Sequence, residues 1–582
     1  MAEINEKTSN TTQQEALKSD SQNGKEHVPH PSGHRVRASY GVNRVIEGDY
    51  DPSLAVRCHN GTFVGKRDGD IDVFRGIPFA KPPVGELRWK RPEPIDADDR
   101  VFEAYFNGKS PIQTEWPTEQ ASYYPQGEDC LYLNVWCDKD RGSSGKTVMV
   151  FIHGGSYGWG GTADPIYDGA ALVKAHPEIV LVSIGYRIGM MGFIDLSYLK
   201  GGEDFPDAPN LGLLDQIEAL RWVQKNIAAF GGDPDNVTLF GESAGGGSVS
   251  LLPMIQEAKG LFRRVIGQSG SVALTFSKEE CHDFTRRLIK KTKATCMDDL
   301  MALSEAQLMA ANEELNTYNN FPQRDGRLIP LDPYQAYFDG TTADVDMLMG
   351  TNSNELNYWI GEIGGIVPFR LGMPVKFEND LRILTKTDKN RVKQFMELKN
   401  SASIWRIVEF YNEIMFRLPV VRQAEGQSRN GGRMYVYYWT EPSSIRYMGA
   451  CHAVELAYVF GNRRETIFTG SPADKKLTRR VQDMWVNFAR TGDPSTEDMS
   501  WPQYSGAKRD TMVISKDDMR VECDVLEEQR RLLYPILRYR LSTSYTSLDY
   551  NVPFVRKAAV IGTLTAATVL TAAGFVIKKL LK

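Results

Sequence analysis

Val237-Thr-Leu-Phe-Gly-Glu-Ser-Ala-Gly-Gly-Gly247 is the stretch of this chain that decides its fold. Its first four residues are apolar or β-branched and predict a short buried strand. Gly241-Glu-Ser-Ala-Gly245 follows as a G-x-S-x-G sequence, and a segment able to start a helix comes next. Strand, tight glycine turn and helix are the context of a nucleophile elbow, which lifts the Ser243 hydroxyl clear of the backbone. A glycine-rich loop without chemistry is the alternative.

Composition excludes several other classes of protein. The chain has 582 residues, of which 41% are hydrophobic and 25% charged, as in ordinary globular proteins. Its formal net charge is −5, so nothing in the charge points to nucleic acid. The 7 cysteines are an odd number, widely spaced and without a C-x-x-C pair. The pattern predicts neither a zinc site nor a dense disulfide framework.

The N-terminal region is polar. Residues 1–50 are rich in Ser, Asn, Gln, Lys and Glu, which predicts a disordered arm. The polar start of the chain lacks the apolar stretch of a secretory signal. We therefore expect the protein to face the cytosol and not to be secreted.

The C-terminal region contains an uncharged run at 558–577, bracketed by Arg556-Lys557 and Lys578-Lys579. A helix of this length rises about 30 Å, the thickness of a bilayer core. The run is therefore predicted to be a membrane anchor. A helix packed on the folded body or lying at a membrane interface is the alternative.

Between these ends, apolar runs alternate with a helical pattern. Thr147–Ile152 and Ile179–Ile184 are typical of strands buried on both faces of a sheet, and residues 210–226 have the spacing of an amphipathic helix. Residues 73–85, rich in Pro and Gly, are predicted to be irregular. Alternating strands and helices form a mostly parallel sheet that binds ligands at the carboxyl ends of its strands.

A glycine-rich loop, His153-Gly-Gly-Ser-Tyr-Gly-Trp-Gly-Gly161, directly follows the predicted strand Thr147–Ile152. Such a loop exposes backbone N–H groups that can converge on one point. Its position at a strand end favours an oxyanion hole over a plain flexible connector.

A serine becomes a good nucleophile only beside a base. Where the histidine follows both serine and acid along the chain, as with a nucleophile elbow, only His282 and His452 qualify. His282 lies in the charged amphipathic segment 278–287 and is expected at the surface. His452 follows the apolar run Met434–Trp439 and is the preferred base.

The acid should lie at a strand end between the serine and the histidine. Residues 344–349 are a plausible strand, and Glu355 follows it closely, so Glu355 is the leading candidate. The residues alone leave Asp325 open as another carboxylate.

Several stretches between residues 74 and 504 occur together in one order. They are Phe74-Arg-Gly-Ile-Pro-Phe-Ala80, Glu128-Asp-Cys-Leu-Tyr-Leu-Asn134, His153-Gly-Gly155, Gly212-Leu-Leu-Asp-Gln216, Phe230-Gly-Gly-Asp-Pro234, Gly241-Glu-Ser-Ala-Gly-Gly246, Gln268-Ser-Gly-Ser271 and Trp501-Pro-Gln-Tyr504. With these motifs the chain resembles the type-B carboxylesterases of the cholinesterase/carboxylesterase family. The resemblance implies an α/β-hydrolase fold, with one catalytic domain over residues 55–545.

The resemblance also implies roles for individual residues. Ser243 would be the nucleophile, Glu355 the acid and His452 the base. It implies an oxyanion hole in the glycine loop and at the residue after the serine, with no cofactor and no metal. The residues concerned are Gly154, Gly155, Ser156 and Ala244.

Three positions depart from the family pattern. Ser156 replaces the third glycine of the loop, so the oxyanion hole would use the N–H groups of Gly155, Ser156 and Ala244. Ala453 replaces the glycine usual after the histidine. No cysteine lies in residues 76–129, so Cys130 is expected to be unpaired, in keeping with a reducing compartment.

The function we expect is hydrolysis of carboxylic esters through a Ser-His-Glu triad and an acyl-enzyme intermediate. The expected substrate is a small-molecule ester. A lipase, thioesterase or amidase on the same machinery is one alternative. A catalytically inactive adhesion or scaffold member of the family is another.

Overall fold

A computed structural model describes residues 39–116, 118–142, 145–315, 321–359, 366–398, 403–539 and 541. The strands are β1 Ala55–Cys58, β2 Asn60–Val64, β3 Lys66–Asp68, β4 Ile71–Pro78, β5 Asp98–Glu103, β6 Tyr132–Asp138, β7 Lys146–Ile152, β8 Ile179–Ile184, β9 Gly232–Glu242, β10 Arg264–Gln268, β11 Asp346–Asn352, β12 Met434–Trp439, β13 Asp510–Ile514 and β14 Arg520–Cys523. Most of them form one large sheet in the order β14-β13-β12-β11-β10-β9-β7-β8-β6-β4-β3, and a small second sheet has the order β1-β2-β5.

The strands from β8 through β7, β9, β10, β11 and β12 to β13 all run parallel. Antiparallel pairs are confined to the two flanks of the sheet. Helices cover both faces, so the central strands are buried on both sides; every residue of β8 is buried. The prediction of a mostly parallel sheet flanked by helices is confirmed.

The helices lie between these strands along the chain, singly or in groups, and after the last strand. They are α1 Ala170–Ala175, α2 Gly189–Gly192, α3 Leu211–Asn226, α4 Ala244–Leu251, α5 Lys278–Thr292, α6 Met297–Met301, α7 Glu305–Leu315, α8 Pro333–Phe338, α9 Ile366–Arg382, α10 Lys386–Glu397, α11 Ser403–Asn412, α12 Leu418–Arg429, α13 Leu456–Val459, α14 Lys475–Thr491 and α15 Glu527–Leu533. A π-helical turn, Glu413–Arg417, joins α11 to α12. The predicted helix over 210–226 corresponds to α3.

One sequence-based expectation about the sheet was wrong. Residues 73–85 were expected to be irregular, yet β4 extends over Ile71–Pro78 and lies one strand from the edge. The register of β4 against β6 shifts between Phe74 and Ile77, and Gly76 has φ 71° there. A bulge absorbs the glycine, and Pro78 is the last residue of the strand, so neither residue interrupts the ladder.

The predicted arm and tail fall largely outside the described residues. Of the arm over residues 1–50, only residues 39–50 are described, and Val45 pairs there with Phe102. The anchor predicted at 558–577 lies outside entirely. Among the residues that the structure describes, no helix is both long and apolar enough to cross a membrane. All seven cysteines are free thiols, Cys130 among them.

Candidate active site

Ser243 lies between β9 and α4 on a sharp turn. Its backbone has φ 57° and ψ −117°, a conformation that costs about 1–3 kcal/mol and persists only where surrounding contacts enforce it. A Cβ on Gly245 would lie 2.0 Å from the Ile152 carbonyl oxygen, and one on Gly241 would lie 2.5 Å from the Gly245 carbonyl carbon. The two glycines are therefore required for the turn to pack against β7.

Glu355 and His452 meet at the carboxyl ends of β11 and β12. The Nδ1 atom of His452 lies 2.7 Å from Oε2 of Glu355, and the His452 N–H donates to the Glu355 carbonyl at 3.3 Å. Two further donors reach the other carboxylate oxygen, Oε1: the Asn352 N–H at 2.7 Å and the Ser269 hydroxyl at 2.7 Å. These contacts fix the orientation of the buried Glu355 carboxylate toward the imidazole.

The other imidazole nitrogen faces the serine turn. Nε2 of His452 lies 3.2 Å from Oε1 of Glu242, the residue directly before Ser243. The imidazole is thus held between Glu355 on one side and the turn that carries the nucleophile on the other.

The charges around His452 are tightly coupled. Burial raises the pKa of the Glu242 carboxyl well above its usual range. Burial by itself lowers the pKa of His452, but the carboxyl groups of Glu242, Glu355 and Glu455 outweigh it and raise this pKa to about 9. The His452–Glu242 pair therefore keeps a proton to a higher pH than a free imidazole would.

The glycine loop after β7 packs directly on the serine turn. A Cβ on Gly154 would lie 2.8 Å from the Glu242 carbonyl oxygen and 3.1 Å from Cβ of Ser243. Nδ1 of His153 lies 2.9 Å from the Gly154 carbonyl oxygen, and because a carbonyl only accepts, Nδ1 carries the hydrogen. Burial lowers the pKa of His153 to about 4, so a neutral imidazole orients the Gly154–Gly155 peptide.

Two of the departures from the family pattern, Ser156 and Ala453, share one backbone feature. Ser156 has φ 52° and Ala453 has φ 64°. The left-handed region costs a side-chain-bearing residue roughly 1–2 kcal/mol relative to glycine. Both residues nevertheless adopt a positive φ, the region that glycine enters most readily.

Aromatic rings surround His452. The imidazole centroid lies 5.1 Å from the ring of Phe416, 5.3 Å from Trp359 and 6.1 Å from Tyr358. Trp159, within the glycine loop, packs on Trp116 with the ring centroids 5.2 Å apart. Phe416, Trp359 and Tyr358 give the surroundings of the imidazole an apolar character.

Two sequence-based alternatives lie away from this site. His282 was expected at the surface, but it is only 5% exposed, because α5 packs it against Asp195, whose Oδ2 lies 3.0 Å from Nε2. Asp325 accepts hydrogen bonds from the N–H groups of residues 327, 328 and 329. It stabilises a turn and is not a partner of His452.

Sequence reasoning missed several polar residues of the site. Glu242 occupies the variable position of G-x-S-x-G, and its place before a strained serine was the available signal. Ser269 lies within the Gln268-Ser-Gly-Ser271 motif without an assigned role. Glu455, three residues after His452, accepts hydrogen bonds from Gln268 and Asn352, and nothing in its local sequence indicates that contact.

Comparison with known proteins identifies the family. The model of the carboxylesterase family matches residues 52–532. Para-nitrobenzyl esterase of Bacillus subtilis is 34% identical over 82% of this chain and 97% of its own length, and an acetylcholinesterase of Leptinotarsa decemlineata is 30% identical over 79% and 81%. The crystal structure of Geobacillus stearothermophilus carboxylesterase EST55 at pH 6.2 superposes with a TM-score of 0.75 at 33% identity, covering 82% of this chain and 99% of that one. This chain belongs to the carboxylesterase family of α/β-hydrolases and is a carboxylic ester hydrolase.

Proposed function

We propose that the chain hydrolyses carboxylic esters as a serine esterase with Ser243 as nucleophile, His452 as base and Glu355 as the acid that orients His452. His452 takes the proton of the Ser243 hydroxyl as the oxygen attacks the ester carbonyl carbon. The alkoxide then leaves with that proton and an acyl-enzyme forms on Ser243. His452 then deprotonates a water that attacks the acyl group, and it returns the proton to the Ser243 oxygen as the carboxylic acid leaves.

The negative charge that develops on the carbonyl oxygen needs hydrogen-bond donors. We assign this role to the backbone N–H groups of Gly155, Ser156 and Ala244, within the loop that starts at Gly154. The contact of Gly154 with the serine turn supports this assignment. Such donors stabilise the tetrahedral intermediate by about 3–4 kcal/mol each when measured by mutation.

One observation carries the proposal. The hydrogen bond of 2.7 Å between Glu355 and His452 lies next to a serine held in a strained turn. An inactive scaffold member of the family would have no use for this combination of a buried carboxylate, an oriented imidazole and a strained serine.

The apolar surroundings of His452 favour uncharged esters with apolar acyl or alcohol groups. Trp359, Phe416 and Tyr358 line one side of the imidazole. The name of the related para-nitrobenzyl esterase agrees with aromatic esters as substrates. A lipase, a thioesterase and an amidase would use the same machinery and differ in the group attached to the carbonyl.

The test is hydrolysis of short- and long-chain p-nitrophenyl esters, a thioester and an anilide by the full-length chain. Ser243→Ala is the control, and a fluorophosphonate probe with peptide mapping locates the nucleophile. We expect ester turnover that is lost in the control, with the label on Ser243. A folded protein with neither turnover nor label contradicts the proposal and favours the scaffold function.

Membrane attachment through residues 558–577 also remains a proposal. It rests on the uncharged run and its flanking lysines and arginine. Alkaline carbonate extraction of the full-length chain tests it. Release into the supernatant contradicts attachment by a spanning helix.

A further inference from the structure

A π-helical turn interrupts the long helical segment formed by α11 and α12. Glu413–Arg417 forms this turn, and Pro419 follows at the start of α12. A proline inside a helix lacks an N–H and clashes with the carbonyl four residues earlier, here that of Met415. The turn accommodates Pro419 and changes the direction of the side chains before it. Single π-turns of this kind are frequent at functional sites.

A buried ion pair between Arg417 and Glu413 stabilises the turn. The Nε atom of Arg417 donates to Glu413 at 2.8 Å (Oε1) and 3.0 Å (Oε2). Its Nη1 donates to the Val525 carbonyl at 2.8 Å. Breaking one partner of a buried pair is costly, so these contacts hold the turn in one conformation.

Phe416, inside this turn, contacts the imidazole of His452. Phe416 is 4% exposed, and the two ring centroids lie 5.1 Å apart at an interplanar angle of 54°. Trp359 packs on the imidazole at 5.3 Å and 32°, and Phe416 and Trp359 lie 6.1 Å apart. The rings of Phe416 and Trp359 pack on the imidazole, while Glu355 and Glu242 contact its two nitrogens.

We propose that Phe416, whose side chain is oriented by the π-turn, is a positioning residue for His452. Its ring holds the imidazole in the rotamer that faces both Glu355 and the Ser243 turn. This inference rests on the proposed role of His452 as base. A wall of aromatic rings restricts rotation of the imidazole. It also favours the imidazolium that forms during proton transfer, since a cation is attracted to ring faces within about 6 Å.

The test compares Phe416→Leu, Phe416→Tyr and Phe410→Leu in the full-length chain. Phe410 is the matched control, because it is fully buried in α11 and packs on Phe377 and Tyr411, not on His452. In Phe416→Leu we expect kcat to fall about tenfold for short and long esters alike, with KM within about twofold. Phe416→Tyr, which keeps the ring, should retain most of kcat, and Phe410→Leu should retain all of it.

A second readout does not depend on activity. The Nδ1 proton of His452, shared with Glu355, should give a far-downfield proton NMR signal that is absent in His452→Gln. In Phe416→Leu this signal should broaden through faster exchange with water, and in Phe410→Leu it should stay sharp. If Phe416→Leu does not fold, Phe416→Met fills the space without a ring and serves instead.

Three results would overturn the inference. The first is an unchanged kcat together with a sharp NMR signal in Phe416→Leu. The second is an equal loss of kcat in Phe410→Leu. The third is an effect of Phe416→Leu confined to the KM of long esters, which would mean that Phe416 lines the substrate pocket. Failure of the proposed function is distinguishable. It appears as a wild-type protein without turnover or Ser243 label, in which the NMR signal still reports how His452 is held.

Discussion

Oε1 of Glu242 lies 3.2 Å from Nε2 of His452, so the imidazole proposed as base contacts one glutamate through each of its nitrogens. Glu355 occupies Nδ1 at 2.7 Å. Both glutamates are buried, and the contact with Glu242 lies on the side where the imidazole must accept the serine proton. The protonation of this pair therefore controls when the base is available.

The first prediction concerns pH. The pKa of His452 is raised to about 9, and a base works only when unprotonated, so kcat/KM of the wild type should rise with pH above the ordinary histidine pKa of about 6.5. Glu242→Gln removes a carboxyl group that contacts Nε2 of His452 and raises its pKa, so the rising limb should move to lower pH. A pH profile of kcat/KM for an uncharged short ester, recorded for the wild type and for Glu242→Gln, measures the midpoint of the rising limb in each protein. Identical midpoints in the two proteins would show that His452 titrates independently of Glu242.

The second prediction distinguishes the two candidate acids. Glu355→Gln removes the charge that stabilises the imidazolium and disturbs the tautomer, and kcat should fall on the order of 10⁴-fold, as when a triad aspartate becomes asparagine. Asp325→Asn is the control, since Asp325 caps a turn. It should lower the free energy of unfolding and leave kcat nearly unchanged. Steady-state kinetics with a denaturation curve separates the two effects, and an inactive but stable Asp325→Asn would reverse the assignment.

The third prediction tests the loop beside the nucleophile. In Gly154→Ala the new Cβ would lie 2.8 Å from the Glu242 carbonyl oxygen and 2.9 Å from its Oε2 atom. The loop must move, and kcat/KM should fall by about 100-fold or more, since a displacement near 1 Å can cost that much. Gly158→Ala is matched to it, because the nearest atom to its Cβ is 3.9 Å away. Comparable activity in the two variants would place the oxyanion donors elsewhere.

The fourth prediction concerns backbone strain. Ser156→Gly and Ala453→Gly each place glycine at a positive φ. Relief of about 1–2 kcal/mol is partly offset by the greater freedom of glycine in the unfolded chain, about 0.4–1 kcal/mol. Each variant should thus be more stable by up to about 1.6 kcal/mol, with kcat/KM retained. Urea unfolding followed by tryptophan fluorescence measures the gain, and a loss of stability would show that contacts of the Ser156 or Ala453 side chain matter more than the strain.

Much of this molecule could be predicted from local sequence. The bounds expected for β8 and β12 agree with the structure, because apolar runs of strand length between turn residues admit few other conformations. The residues Ser243, Glu355 and His452 stood out because each follows a predicted strand, and the carboxyl ends of parallel strands meet at one edge of the sheet. The family motifs agreed with that order.

Other features depended on the tertiary structure. The hydrogen bond from Ser269 to Glu355, the contact of Glu242 with His452 and the packing of Phe416 on the imidazole join residues far apart along the chain. The burial of His282 depends on how α5 packs on Asp195, although its own helix is strongly charged. The sequence by itself indicated most of the strands, the serine turn and the candidate triad, because strands and turns depend on neighbouring residues and each candidate residue follows a predicted strand. Only the tertiary structure decided which carboxyl groups and aromatic rings contact the imidazole, because burial and contact arise when distant segments pack together.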